Sequence, residues 1–221
     1  FRILIISISI SGFMFADVFM TELTDPQNSS TAGRYVELYN NGSEAVDLTN
    51  VWGLLRWTNG NADPSGSLNE WNSQVTLLTG TIEAGGFYIV CNNADKYFTT
   101  YGSTCDDDVG TGGVADSNGD DNIALLHFDT IVDMFGVAGE DGTGTWHEFE
   151  DGRAERADHV TQGSGFLANE DGWNIDNDSG GGDGNQYAPE GFDPGAWIGA
   201  ITGGGDTGGG TTTCDDATAC N

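Results

Sequence analysis

NGDDNIALLHFDTIVDMFGV, residues 118–137, is the stretch on which the reading of this chain turns. Asn118 and Gly119 accept the positive φ angles of a tight turn, and the apolar run 123–128 follows. A two-residue Asp129-Thr130 connection then leads into a second apolar run, 131–137, which makes the stretch a hairpin. In the first run Ile123 and Leu125 point to one face and Ala124 and Leu126 to the other, so the strand is apolar on both sides, as central strands are. A helix is disfavoured, because Gly119, Gly136 and the Asp129-Thr130 break leave no apolar run of three turns.

Outward from this hairpin, short alternating segments separated by turn residues continue the pattern. VFMTEL (18–23) reads as an opening strand closed by Asp25-Pro26. In RYVELY (34–39), Tyr35, Glu37 and Tyr39 share one face, while Val36 and Leu38 take the core-facing side. Further strands are expected at 45–48, 52–57, 74–78 and 87–91, and a strand pair at 146–149 and 152–157. Asn93 is placed to cap a short helix through Tyr101, the one helix expected, with Tyr97 and Tyr101 four apart on one face. Beyond Thr161 regularity fades, and Trp173, Ile175, Phe192, Trp197 and Ile198 are the anchors that fold this segment back over the sheets.

A chain of 221 residues, 37% hydrophobic and 10% aromatic, has enough apolar surface for one sizeable core, and its 35 glycines point to many turns. Six Lys and Arg against 35 Asp and Glu leave a formal charge of −29, which repels phosphate backbones and anionic membrane surfaces. Direct nucleic-acid binding is therefore not expected. Such a surface suits divalent cations, a saline medium, or solubility alone.

Residues 1–16, FRILIISISISGFMFA, follow the plan of a secretory signal sequence: Arg2, an apolar core, and small residues near Ala16. Asp17 is the expected mature start, and Asp17 also ends the run short of the roughly twenty apolar residues of a membrane span. The alternation of Ser7, Ser9 and Ser11 with isoleucines leaves a buried edge strand as the competing reading. The missing initiator Met suggests a fragment. Four cysteines in an exported chain suggest two bridges, Cys91–Cys105 and Cys214–Cys220. Neither pair has zinc-site spacing, and His127, His147 and His159 form no ligand cluster in sequence. Residues 201–213 form a Gly/Thr-rich linker with nothing to pack, and CDDATACN (214–221) looks like the start of a Cys-containing repeat or tail.

The order TEL-TDP, YVELYN, Val46-Asp47-Leu48, EAGGFYIV, NGDDNIALL, Ile131-Val132-Asp133 and FGV resembles the lamin tail domain family over about residues 18–157, most specifically in YVELYN and NGDDNIALL. The resemblance implies an all-β fold, an immunoglobulin-like antiparallel sandwich with long acidic Gly-rich loops, so that 17–200 is one lamin-tail-like unit with an irregular C-terminal extension. The chain resembles the exported members, because it has no rod heptads. Such relatives serve as non-catalytic modules in surface and adhesion proteins, or beside secreted nucleases, phosphatases and other hydrolases. The resemblance carries over no catalytic residue.

Asp171, Asp176, Asn177, Asp178 and Asp183, in DGWNIDNDSGGGDGN, place oxygens around glycines that let a loop curl over a calcium ion, although the twelve-residue EF-hand pattern is incomplete. A solvated acidic loop explains the segment equally well. Asp116, Asn118, Asp120 and Asp121 are read as turn chemistry, and Asp106, Asp107 and Asp108 as exposed charge. Arg153 and Arg156, from a very small stock of cations, are read as ion-pair partners. His127 with Asp129, His147 with Glu148, and His159 with Asp158 lack the companion groups of an active site, so no catalysis is expected. Trp52, Trp57 and Trp71 could form a platform for a sugar or protein partner. Three functions follow from the sequence: an extracellular structural or adhesion module, whose partner is a protein, a glycan or neighbouring copies; an accessory domain of a secreted hydrolase; and a calcium-dependent binding module.

Overall fold

The structure, a computed structural model, describes residues 18–63, 75–167, 169–179, 181, 182, 184 and 186–200. Its strands in chain order are β1 (Val18–Thr24), β2 (Tyr35–Asn40), β3 (Val46–Asp47), β4 (Trp52–Trp57), β5 (Thr76–Leu77), β6 (Thr81–Ile82), β7 (Phe87–Cys91), β8 (Asp107–Asp108), β9 (Asn122–His127), β10 (Thr130–Phe135), β11 (Arg153–Arg156) and β12 (Trp173–Asp176). Two helices interrupt them, α1 (Ser29–Ala32) and α2 (Ala94–Tyr101). A six-stranded sheet runs β12-β11-β1-β2-β7-β8, a four-stranded sheet runs β10-β9-β4-β5, and β3 pairs with β6. All pairings are antiparallel except β7 with β8. The two larger sheets close an all-β sandwich on Met20, Leu38, Val90 and Ala154 from one side and Leu54, Ile123, Leu125 and Phe135 from the other.

The decisive hairpin is β9–β10, and β9 is central, between β10 and β4. Both of its faces are buried: Ile123 and Leu125 enter the main core, and Ala124 and Leu126 pack with Leu55, Trp57 and Met134. The connection sits one residue earlier than the sequence suggests. Thr130 pairs with His127, so Phe128 and Asp129 make the turn, with Phe128 at φ 52° and 66% exposed. A bulge between Ile131 and Asp133 follows. It sets Asp133 opposite Leu125, which turns a carboxylate into the core side of the sheet.

The expected pair 146–149 with 152–157 does not form. Only β11 is a strand, and it pairs with β1 and β12 instead. Trp146, His147 and Phe149 lie on an irregular segment and converge on the Phe135 ring at 5.9, 6.2 and 5.4 Å, so packing on one aromatic residue replaces strand pairing there. Trp173, expected in an irregular tail, begins β12 and also packs on Phe135 at 5.0 Å. Phe192 and Trp197 are buried anchors, whereas Ile198 is 67% exposed and anchors nothing.

Helix α2 forms as expected. The Asn93 side chain accepts from Lys96 N, Gly102 closes the end in the left-handed region, and Tyr97 and Tyr101 meet Tyr35 edge-on at 5.7 and 5.5 Å. The short α1 was not legible in a polar stretch without apolar periodicity. A disulfide joins Cys91 at the end of β7 to Cys105 beyond α2, with Cα atoms 6.0 Å apart. Replacing both cysteines by Ala is expected to lower unfolding stability by about 3 kcal/mol, the loop-closure value for a bridge of this span, as read by urea titration. A loss below about 1 kcal/mol would show that the bridge constrains little.

Among the described residues no helix is long and apolar enough to cross a membrane. The expected signal sequence (1–16), linker (201–213), tail (214–221) and Cys214–Cys220 bridge lie outside the described residues.

Candidate functional site

The five oxygen donors expected to surround calcium do not converge. Asp171 lies exposed in a 3-10 turn ahead of β12. Asp176 faces Arg153 Nε at 3.7 Å and accepts from Gln186 Nε2 at 3.0 Å. Asn177 is a buried clamp: its Nδ2 donates to Glu148 O at 3.0 Å, and its Oδ1 accepts from Gly181 N at 2.8 Å. Asp183 lies outside the described residues. Asp178 alone joins a cluster, and its partners are two glutamates that the sequence reading passed over.

Glu148, Glu150 and Asp178 each offer a carboxylate oxygen, and the three oxygens lie within 4.8 Å of one another. The cluster follows from local folding. The pairing of β11 with β12 sets Arg153 opposite Asp176, so the chain just before β11 and the chain just after β12 leave the sheet side by side. Asp178 N then donates to Glu150 O at 2.9 Å, and the Asn177 clamp holds Glu148. Gly152 allows the close approach, since a Cβ there would stand 2.2 Å from Asp176 O. Glu148 is 4% exposed, and Ser179 Oγ donates to its Oε2 at 3.3 Å. Partial burial holds the Glu150 carboxyl above its ordinary value, and the charges of Asp178, Asp151, Glu148 and Asp120 add to the effect. A set made only of oxygens, with excess negative charge, matches the preference of a hard divalent cation. The signal in sequence is Glu148-Phe149-Glu150, two acids flanking an apolar residue; Glu148 falls inside the strand expected at 146–149, and Glu150 lies just beyond it.

The other candidates are held by structural work. Asp116 and Asp25 pair with Arg34 at 2.9 and 2.6 Å, and Asp121 pairs with Arg56 at 3.1 Å, so Asp116 and Asp121, expected to serve a local turn, instead tie distant segments together. Asp106, Asp107 and Asp108 are more than exposed charge: they accept from Ile89 N, Thr79 N and Ala94 N, which ties β7, the approach to β6 and the start of α2 together. Arg153 meets Glu22 at 3.1 Å and Asp193 at 2.8 Å, and Arg156 pairs with Asp133, so both arginines are ion-pair partners as expected.

The three histidines are far from one another in role. His127 stacks on Trp52 at 4.4 Å, and burial lowers its pKa. His147 is fully buried against Thr145 Oγ1 at 2.8 Å, and burial lowers its pKa too, with Glu140 and Asp141 opposing. His159 is exposed beside Asp158. Trp52 and Trp57 are buried and so present no platform; Trp71 lies outside the described residues. Searches of the chain against protein-family models and against curated proteins find no match.

Proposed function

We propose that this chain is a non-catalytic structural or adhesion module of a larger secreted or cell-surface protein, built as an immunoglobulin-like sandwich of the lamin-tail kind. The observation that carries the reading is how the polar chemistry is used. Arg34, Arg56, Arg153 and Arg156 all serve ion pairs that fasten one element to another, and the disulfide and α2 fasten the same sheet from outside. What remains for partners is an acidic, loop-rich surface suited to an extracellular protein, a glycan or neighbouring copies. The purified chain should give no turnover above buffer on phosphodiester, phosphomonoester and glycoside substrates. Turnover that disappears in Glu150→Gln would overturn the proposal.

The Glu148–Glu150–Asp178 cluster favours a second, compatible reading, in which calcium joins the chain after β12 to the corner before β11. An ion bound only by the folded form at about a hundred times its Kd adds about 2.7 kcal/mol, which raises Tm by roughly 5–10 °C for a domain of this size. Melting with calcium and with chelator reads this directly. Glu150→Gln and Asp178→Asn should abolish the shift, and an equal midpoint with and without calcium removes the ion from the account.

A further inference from the structure

The outer face of the six-stranded sheet carries a row of acids that no solvent-facing strand would need to bury. Register places Glu37 of β2 opposite Glu22 of β1, and Glu22 opposite Glu155 of β11. Directly opposed like charges repel, yet Glu37 and Glu22 are buried and Glu155 is half-buried. Two elements cover the row: Tyr97 and Tyr101 of α2 pack on Tyr35 beside Glu22, and the C-terminal segment lies over Glu37. Gly195 N donates to Glu37 Oε2 at 2.7 Å, Asp193 meets Arg153 at 2.8 Å, and Trp197 donates its Nε1 to Arg156 O at 2.6 Å. The Trp197 ring packs 5.4 Å from both Phe19 and Tyr39.

We propose that residues 193–200 form a strap whose docking is gated by proton occupancy of the Glu37–Glu22–Glu155 row. Held while the row carries protons, the strap loosens as the row ionises and uncovers Glu37, Phe19 and Tyr39. The charge balance is the reason. Glu22, Glu155, Asp176 and Asp193 all lie within ion-pair distance of the single guanidinium of Arg153, at 3.1, 3.8, 3.7 and 2.8 Å, and among the described residues the hydrogen-bond partners of Glu37 are Thr21 and Gly195, neither of them a cation. Among the described residues the other titratable groups facing the row are phenols: Tyr35, which donates to Glu22, and Tyr97 and Tyr101 of α2.

Arg153 Nη1 is shared between Glu22 Oε1 and Asp193 Oδ1. Once Glu22 is ionised it competes for that donor, and Asp193 is the partner free to leave, because 57% of its side chain is already exposed. Departure of the strap also removes the Asp193 charge and lets water reach Glu37. Ionised Glu37 does accept more strongly from Gly195 N, but one backbone donor does not compensate a second buried carboxylate.

Burial pushes Glu22 up to about 7 from the ordinary 4.5, against the pull of Arg153, and pushes Glu37 well up, with Glu22 adding to the effect. Burial also raises Glu155, with Arg153 and the Ile198 N–H opposing. Above about 4.5 an uncovered glutamate loses its proton while a covered one keeps it, so docking weakens as pH rises. Glu37, which the strap touches directly, is the acid whose raised value depends most on that cover.

The test is hydrogen exchange by mass spectrometry, corrected for intrinsic rates, on the chain at about pH 5 and about pH 8.5. One proton of linkage predicts that protection of amides 195–200 falls at least about tenfold between these values, while the amides of β9 hold theirs. Glu37→Gln, whose oxygen can still accept from Gly195 N while its Nε2 donates to Thr21 Oγ1, removes one charge from the row and should make the fall markedly shallower. If that variant folds poorly, Asp193→Asn at the exposed position should make the fall shallower. Equal strap protection at both pH values, a fall matched in β9, or an undiminished fall in whichever of these variants folds would each overturn the proposal.

Discussion

Asp133→Ala is expected to cost about 3–5 kcal/mol of stability and roughly 10 °C in Tm. Asp133 and Arg156 are both 0% exposed and paired between the sheets. Burial pulls the Arg156 pKa down, and Asp133 is what opposes that pull. The carboxylate also accepts from Met20 N at 2.9 Å and Ser164 N at 2.9 Å, so its removal strands two backbone donors as well as a guanidinium. Arg156 could not escape to water. It lies 3.7 Å over the Trp173 ring, and its Nε donates to Met20 O at 2.8 Å. The double variant Asp133→Leu with Arg156→Met, which removes both charges and keeps the volume, should unfold at higher urea than Asp133→Ala. If Asp133→Ala costs less than about 1 kcal/mol, the ion pair does not hold the sheets together.

Gly119→Ala should be nearly as damaging, at about 2–4 kcal/mol by chemical denaturation. Gly119 has φ +99°, which alone disfavours a side chain. A Cβ there would also stand 2.2 Å from Glu150 N and 2.4 Å from Glu150 Cα, backbone atoms that cannot swing away. Phe149 N donates to Gly119 O at 2.8 Å, so the clash would open the contact that holds the corner before β11. Because Glu150 is displaced with it, any calcium-induced rise in Tm should shrink in the same variant. Gly110→Ala is the comparison: φ is +73°, but its Cβ would meet nothing within 4 Å, so only the backbone cost of about 1 kcal/mol is expected. Equal losses in the two variants would show that crowding at Glu150 contributes nothing.

The candidate site was legible only in part, for a reason visible in its residues. Asp178 stood out among acids and glycines, as calcium loops do, and it does reach the cluster. Asp176, two residues earlier, looked equivalent and is instead committed to Arg153 and Gln186, because it lies within β12 rather than beyond it. Glu148 and Glu150 were invisible as donors, since their nearness to Asp178 comes from pairing between strands, not from neighbouring positions in the chain. The turn at Phe128 shows the same limit at short range. The sequence suggested Asp129-Thr130 on composition, and the strand-forming Thr130 was taken into the ladder with His127.

By itself the amino-acid sequence determined the local matters: the hairpin of 118–137, the alternation in 34–39, the Asn93 cap, the short bridge to Cys105, and an all-β architecture of many turns. These depend on period, turn chemistry and separations of a few residues. Only the tertiary structure decided which charges meet. Glu22 and Arg153 are 131 positions apart and become partners because β1 and β11 are neighbours. Period-two alternation assigned Glu37 to the face away from the core, where water would be the ordinary neighbour. Whether that face is wet depends on what is laid over it, and a helix and a C-terminal strap made it dry.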